Sequence, residues 1–279
     1  MRILLDADML LFRVAAASEV EVQLGHDVWT RHSELPEARQ LYWQQVESWC
    51  AEFGVALDDV WHCFTEASAF RKELHPGYKA DRVGKPKPIG YKQLKAELMA
   101  EPTAFCFHQI EADDLLGIFA TMPEAQEDPV VIASGDKDLM QIPGIHVWID
   151  NSKKEIADED GLAVQRINGN IIKTNTAEHA ERFAYQQYLS GDSTDGIPGC
   201  PGLGPIGAAK LVKEFDLTQP VDCWEAVVRA YEKAQSKKKL DLYNASDYAT
   251  QQARLARILR HGDYDFNTHK VTLWNPPTR

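Results

Sequence analysis

The sequence predicts an α/β fold: a parallel sheet covered by helices on both faces, followed by a helical lobe. Short apolar runs with strand character alternate with segments of helical spacing up to about residue 178. Beyond that point the strand signals fade, and helical patterns separated by Gly/Pro turns take over. Acidic residues also stand directly after the strand runs, where an open parallel sheet binds its ligands.

In chain order, residues 2–5 form an apolar run that ends abruptly at Asp6. Residues 37–53 have helical spacing, with Leu41, Trp49 and Phe53 among the apolar positions. Residues 60–64 read as a second strand and 129–133 as a third, with helical patterns over 91–99 and 113–121. The stretch 79–90 is rich in Lys, Pro and Gly and reads as an exposed, mobile connection. The expected division is a core over 1–178 and a lobe over 179–279. Lys237-Lys238-Lys239 reads as a solvated helix face.

With 279 residues, 44% of them hydrophobic, the chain can bury a sizeable core. No apolar run approaches the roughly 20 residues of a membrane helix. An aspartate at position 6 does not suit a signal peptide. The five cysteines are scattered and contain no C-x-x-C pair, which predicts reduced thiols in a cytoplasmic setting.

A net charge of −12 argues at first against a nucleic-acid partner. However, nine of the 42 acidic residues sit in four short motifs, and setting those aside leaves −3. Residues 70–95 hold eight Lys or Arg against two acids. Charge is therefore segregated into an acidic site and a basic segment.

The four motifs are Asp6-Ala7-Asp8, Glu111-Ala112-Asp113-Asp114, Ser134-Gly135-Asp136-Lys137-Asp138 and Gly191-Asp192-Ser193-Thr194-Asp195-Gly196. Glu66 is a fifth, weaker member. Gathered carboxylates repel one another, which is costly unless cations are bound. Mg²⁺ takes such oxygen ligands, and two ions about 4 Å apart can clamp a phosphoryl transfer. Taken singly, each motif also has a plain structural reading. Glu111, Asp113 and Asp114 suit a helix N-terminus, Asp136 and Asp138 a turn, and Asp192 and Asp195 an Asx-turn and a cap. Asp8 reads as structural.

Residues 196–215 contain Gly202-Leu203-Gly204 before a helical pattern over 205–215. Two glycines around an apolar residue make a tight hairpin between helices and let backbone N–H groups approach a phosphate. Such a helix–hairpin–helix grips a nucleic-acid backbone without reading sequence. The alternative is an ordinary Gly/Pro connection.

Together these motifs resemble the flap endonuclease / 5′→3′ exonuclease family. The resemblance spans roughly residues 2–215, and the tail from Ala253 to Asp265 looks like the phage branch. It rests on Leu5-Asp6, Phe70-Arg71, Tyr78-Lys79-Ala80-Asp81-Arg82, Glu111-Ala112-Asp113-Asp114, Ser134 to Asp138 and Gly191 to Gly199, in fixed order. It implies a PIN-like nuclease core, a basic helical arch or gateway around 70–98, and a helical lobe carrying the helix–hairpin–helix. It also implies metal-dependent hydrolysis of DNA from 5′ ends or flaps, with RNA in RNA–DNA hybrids as a further substrate. Metal ligands would be Asp6, Glu66, Glu111, Asp113, Asp114, Asp136, Asp138, Asp192 and Asp195. Lys79 would stabilise the scissile phosphate, supported by Arg82 and Arg71. DNA contacts would come from Tyr78, Lys85, Gly202, Gly204, Gly207 and Lys210. The expected ions are Mg²⁺, with Mn²⁺ as substitute, and K⁺ at the hairpin; the expected state is a monomer.

The sequence departs from the family at two points. Glu66 stands where an Asp is usual, and Ile206 stands where the hairpin often carries Lys. Three other readings compete: a binding module that has lost catalysis, a haloacid-dehalogenase phosphatase opening on Asp6-x-Asp8, and a PIN-type ribonuclease. The complete set of acids opposes the first. The helix–hairpin–helix opposes the other two.

Overall fold

The computed structural model describes residues 1–66, 69–149, 162–238 and 244–279. Lys239 of the Lys237-Lys238-Lys239 run, and the side chains of the other two, lie outside the described residues.

Strand β1 (Arg2–Asp6) is the buried centre of the sheet. Asp6 also caps helix α1 (Ala7–Ala17), accepting from the Met9 N–H at 3.0 Å. A hairpin follows, β2 (Glu19–Gly25) and β3 (Val28–Ser33). Helix α2 (Leu35–Phe53) carries Pro36 in its first turn and ends on Gly54 in the left-handed conformation, φ 64°. Strand β4 (Val60–Cys63), helix α3 (Phe70–Leu74), helix α4 (Tyr91–Leu98) and strand β5 (Ala104–Phe105) come next. Helices α5 (Ala112–Ala120) and α6 (Glu124–Glu127) precede β6 (Val130–Ser134), a 3₁₀ turn at Lys137–Gln141 and β7 (Gly144–Trp148). Strands β8 (Leu162–Ile167) and β9 (Asn170–Asn175) lead to the helices α7 (Ala177–Ser190), α8 (Pro205–Lys213), α9 (Pro220–Lys238) and α10 (Ala245–Ala256). Two-residue strands β10 (Tyr264–Asp265) and β11 (Lys270–Val271) follow.

The main sheet runs β5-β4-β1-β6-β7-β9-β8. It is parallel from β5 to β7, as expected, but β9 pairs antiparallel with both β7 and β8. The expected parallel core is therefore present, and the sheet is completed by an antiparallel edge. Asn168 and Gly169, at φ 47° and 86°, join β8 to β9 in two residues. So short a turn permits only antiparallel pairing.

One face of the sheet buries Leu10, Leu11, Tyr42, Val46, Trp49 and Leu94 from α1, α2 and α4. The other buries Leu115, Leu116 and Ile118 of α5 together with Ile258, Leu259 and Tyr264 from the far end of the chain. A separate cluster joins α7, α8, α9 and α10, and takes in Ala69 and Tyr78 from the early basic segment. After α10 the chain therefore returns to the sheet, running as a strap against α5.

Candidate active site

Asp6 ends β1 inside the protein. Its Oδ2 accepts from the Ser134 hydroxyl at 2.9 Å, which ties the end of β1 to the end of β6. Burial pushes its carboxyl up to about 7, with Asp8 and Asp136 adding repulsion against the lowering effect of Met9 and Ser134. Asp113, in the first turn of α5, is pushed well above the carboxylate range by burial, then by Asp136 and Asp6. Asp136 caps the 3₁₀ turn, accepting from the Asp138 N–H at 2.8 Å. Asp138 accepts from Lys137 Nζ and Gln187 Nε2 and is pushed up by burial and Asp136.

Asp192 and Asp195 lie in the loop between α7 and α8. Asp192 accepts from Lys137 Nζ and the Thr194 N–H, and these outweigh its burial to hold its carboxyl low. Asp195 meets Lys79 at 3.4 Å and Arg82 at 2.5 Å, although burial still keeps its carboxyl up. The same loop lies against the basic segment. A Cβ on Gly196 (φ 71°) would stand 2.4 Å from the Gly77 carbonyl oxygen. The Lys79 N–H donates to the Asp195 carbonyl at 2.8 Å.

Glu111 accepts from Lys79 Nζ and the Tyr78 hydroxyl, each at 2.6 Å, and from Arg71 at 3.2 Å. These partners outweigh its burial and hold its carboxyl low. Burial opposes the Lys79 charge, but Glu111 and the surrounding anionic groups raise its ammonium above the usual lysine range.

Four of the expected site residues make contacts that bear on the roles expected of them. Asp114 is 0% exposed and accepts four hydrogen bonds. Two come from Arg71, one from the Glu111 N–H and one from the Leu259 N–H, which occupies its lone pairs and leaves none for a metal. Arg71 is 4% exposed and commits all five N–H donors: to Asp114, Glu111, and the carbonyls of Leu255 and Arg257. It is a buried clamp between α3, α5 and the strap, with no donor left for a phosphate. Tyr78 is buried in the helical cluster, with its hydroxyl on Glu111, so it offers no DNA-facing surface. Glu66 turns to His108 and the Gln109 N–H, both at 3.0 Å, in the loop before α5.

Asp8 is more engaged than its expected structural role implied. It accepts from the Thr65 N–H and the Tyr91 hydroxyl at 2.6 Å, and from Lys95 at 2.8 Å. Lys137 was also passed over, although its place between two motif acids was a visible signal. It bridges Asp138 and Asp192. Among the described residues, no three His, Cys, Asp or Glu side chains are placed so that they could hold a metal ion together.

The hairpin is separately placed. Gly202 is left-handed at φ 84°, Gly204 has open space where a Cβ would stand, and Pro205 begins α8. A Cβ on Gly207 would crowd Leu203 at 2.9 Å, so this glycine allows the hairpin to pack closely on α8. Ile206 is 76% exposed, and Lys210 and Lys85 are exposed as well. No described helix is long and apolar enough to cross a membrane.

The chain resembles known proteins at three levels. Its fold is similar to the T5 5′-exonuclease with bound zinc ions, with a TM-score of 0.59 and 14% identity over 91% of this chain and 88% of that one. It is also similar to a phage T5 flap endonuclease in a pseudo-enzyme–product complex with DNA and metal ions, with a TM-score of 0.53 and 14% identity over 91% and 98%. In sequence it is 27% identical to the exodeoxyribonuclease of Enterobacteria phage T3, over 98% of this chain and 92% of the relative. It is 30% identical to the flap endonuclease Xni of Shewanella sp. (strain MR-4), over 53% and 54%. Residues 1–167 match the model of the 5′-3′ exonuclease N-terminal resolvase-like domain. That match spans more than half of the 279 residues, and the chain belongs to the 5′-3′ exonuclease family.

Proposed function

We propose that this chain hydrolyses phosphodiester bonds of DNA at 5′ ends or 5′ flaps, with divalent cations held at the carboxylate cluster. The observation that carries this reading is the convergence of Asp6 at the end of β1, Asp113 in the first turn of α5 and Asp136 at the cap of the 3₁₀ turn, close enough that Asp136 acts on both of the others. Facing carboxylates repel, and a bound divalent cation relieves that repulsion while keeping them ionised. An all-oxygen donor set suits Mg²⁺, with Mn²⁺ as substitute. That no three of these side chains converge on one point is compatible with an ion that keeps several waters and takes only one or two carboxylates directly.

Asp6, Asp113 and Asp136 would hold one part of the cation site, and Asp138, Asp192 and Asp195 the other. When bound, the ions would ease hydroxide formation and offset charge on the pentacoordinate phosphate. Lys79 is held in the charged state between Glu111 and Asp195. A scissile phosphate arriving there would compete for its ammonium, which would then act where charge develops. Arg82 is exposed beside it and would take a neighbouring phosphate. The hairpin N–H groups, the start of α8 and Lys210 would seat the duplex backbone, while Lys85 would add general attraction.

The proposed division keeps a catalytic core over 1–178 and a duplex-gripping lobe over 179–279. A monomeric, cytoplasmic enzyme, K⁺ at the hairpin and cleavage of RNA in hybrids belong to the same proposal. The test uses 5′-labelled duplex and 5′-flap DNA with Mg²⁺ or EDTA. Mg²⁺-dependent release of short 5′ products is expected, and their length gives the mode. Binding without cleavage in both Mg²⁺ and Mn²⁺ would overturn the proposal.

A further inference from the structure

The Asp138 carboxylate is held by a buried glutamine, which is held in turn by a second. Gln187, on α7, donates Nε2 to Asp138 Oδ1 at 2.5 Å. Gln141, at the end of the 3₁₀ turn, donates Nε2 to Gln187 Oε1 at 2.5 Å and to the Ala256 carbonyl at 2.7 Å. Its Oε1 accepts from the Ile258 N–H at 3.2 Å. Its own carbonyl accepts from Arg260 at 3.1 Å. Gln141 is 1% exposed and Gln187 5%.

The polarity of this chain is determined by its far end. An amide side chain has one accepting end and one donating end. The Ile258 N–H can only donate and the Ala256 carbonyl can only accept, so the strap fixes which way Gln141 lies. Gln141 then presents N–H to Gln187, whose oxygen must face it, leaving the Gln187 N–H for Asp138. The side-chain bonds to Asp138 from Lys137 and Gln187 both end on Oδ1. This arrangement leaves Oδ2 as the oxygen turned to a cation.

We propose that Gln187 and Gln141 are positioning residues for Asp138, and that the strap at Ala256–Ile258 sets their polarity. This rests on the reading of Asp138 as a cation-binding carboxylate. Hydrogen-bond partners that orient a ligand typically change metal affinity by about 10–100-fold when removed. Neither glutamine reaches the substrate. Their loss acts on the carboxylate and so on the ion.

The test measures Mn²⁺ affinity by calorimetry without DNA, together with the Mg²⁺ dependence of cleavage and the Tm in EDTA. Gln187→Met keeps the volume and removes the donor. It is expected to weaken Mn²⁺ binding about tenfold and raise the half-saturating Mg²⁺ to match, with kcat largely recovered at high Mg²⁺. Gln141→Met, which never touches Asp138, is expected to shift both in the same direction. Gln187→His, which keeps a ring N–H donor, is expected to recover part of the affinity and serves if the methionine variant does not fold. A lowered Tm with unchanged Mn²⁺ affinity in both methionine variants would make the glutamines mere packing and overturn the inference. An effect of Gln187→Met without one of Gln141→Met would overturn the role of the strap. Failure of the wild type to bind Mn²⁺ or to cleave would instead remove the parent reading, a result distinct from these.

Discussion

Asp113 and Asp114 are neighbours in the chain with opposite surroundings. Asp114 points into the fold, where Arg71 and two backbone N–H groups fill its oxygens. Asp113 points to the cluster, where its strongest charged neighbours are Asp136 and Asp6. Residues one apart on a helix face different directions, so a single acidic motif can serve both the scaffold and the chemistry. What separates the two roles is saturation. A buried carboxylate whose lone pairs are all occupied serves the scaffold, and one facing other carboxylates is the kind proposed above to take a cation.

The largest effect expected from this contrast is on stability. Asp114→Ala would leave the buried Arg71 without its main partner and cost about 3–5 kcal/mol, read from denaturant unfolding. A loss under about 1 kcal/mol with abolished cleavage would reverse the two roles. Asp113→Asn tests the opposite side. Cleavage should fall on the order of 10³-fold, equivalent to about 4 kcal/mol of barrier, while the Tm in EDTA should not fall. An equal loss of Tm in both variants would erase the distinction.

Protonation offers a finer test. Asp6 is raised to about 7 against a usual value of 3.8, so the folded form binds its proton more tightly. Its penalty is full above pH 7 and is relieved as pH falls from 7 towards 3.8. Mg²⁺ should therefore raise the Tm more at pH 8 than at pH 5, by about 2–4 °C for each kcal/mol relieved. His62 and His146 act in the opposite direction. Burial lowers both to about 4, so stability is lost as pH falls from 6.5 through 4. Comparing each pH with and without Mg²⁺ cancels them. A Mg²⁺ effect independent of pH would detach the ion from Asp6. The smallest expected effect is that of Lys79→Ala, about 10²-fold in rate with little change in DNA affinity. A loss confined to affinity would make Lys79 an ordinary phosphate contact.

The strands at 2–5, 60–64 and 129–133 were legible because buried parallel strands are short apolar runs with clear ends. The helices over 91–99 and 113–121 were legible from their spacing. The β2–β3 hairpin was not, because both of its faces are largely solvated and its alternation of Glu and Val marks no core. The antiparallel edge was announced by Asn168-Gly169, a turn signal that was not used. At the site, the motif acids were legible, but their division of labour was not. The roles of Asp114 and Arg71 depend on Leu255, Arg257 and Leu259, more than 140 residues downstream, and no local pattern encodes that contact. The burial of Tyr78 is illegible for a related reason: the helical cluster that buries it comes from the other end of the chain.

The close approach of Gly196 to the Gly77 carbonyl has a mechanical consequence. It joins the loop that leads into the hairpin, proposed above to grip the duplex, to the basic segment beside the proposed cutting site, backbone against backbone with no side chain between them to yield. The two parts then act as the fixed jaws of a caliper. On that proposal the span from where the duplex is seated to where the strand is cut is a constant of the fold, and lengthening the 197–204 connection would change the size of the fragment released before it changed the speed of release.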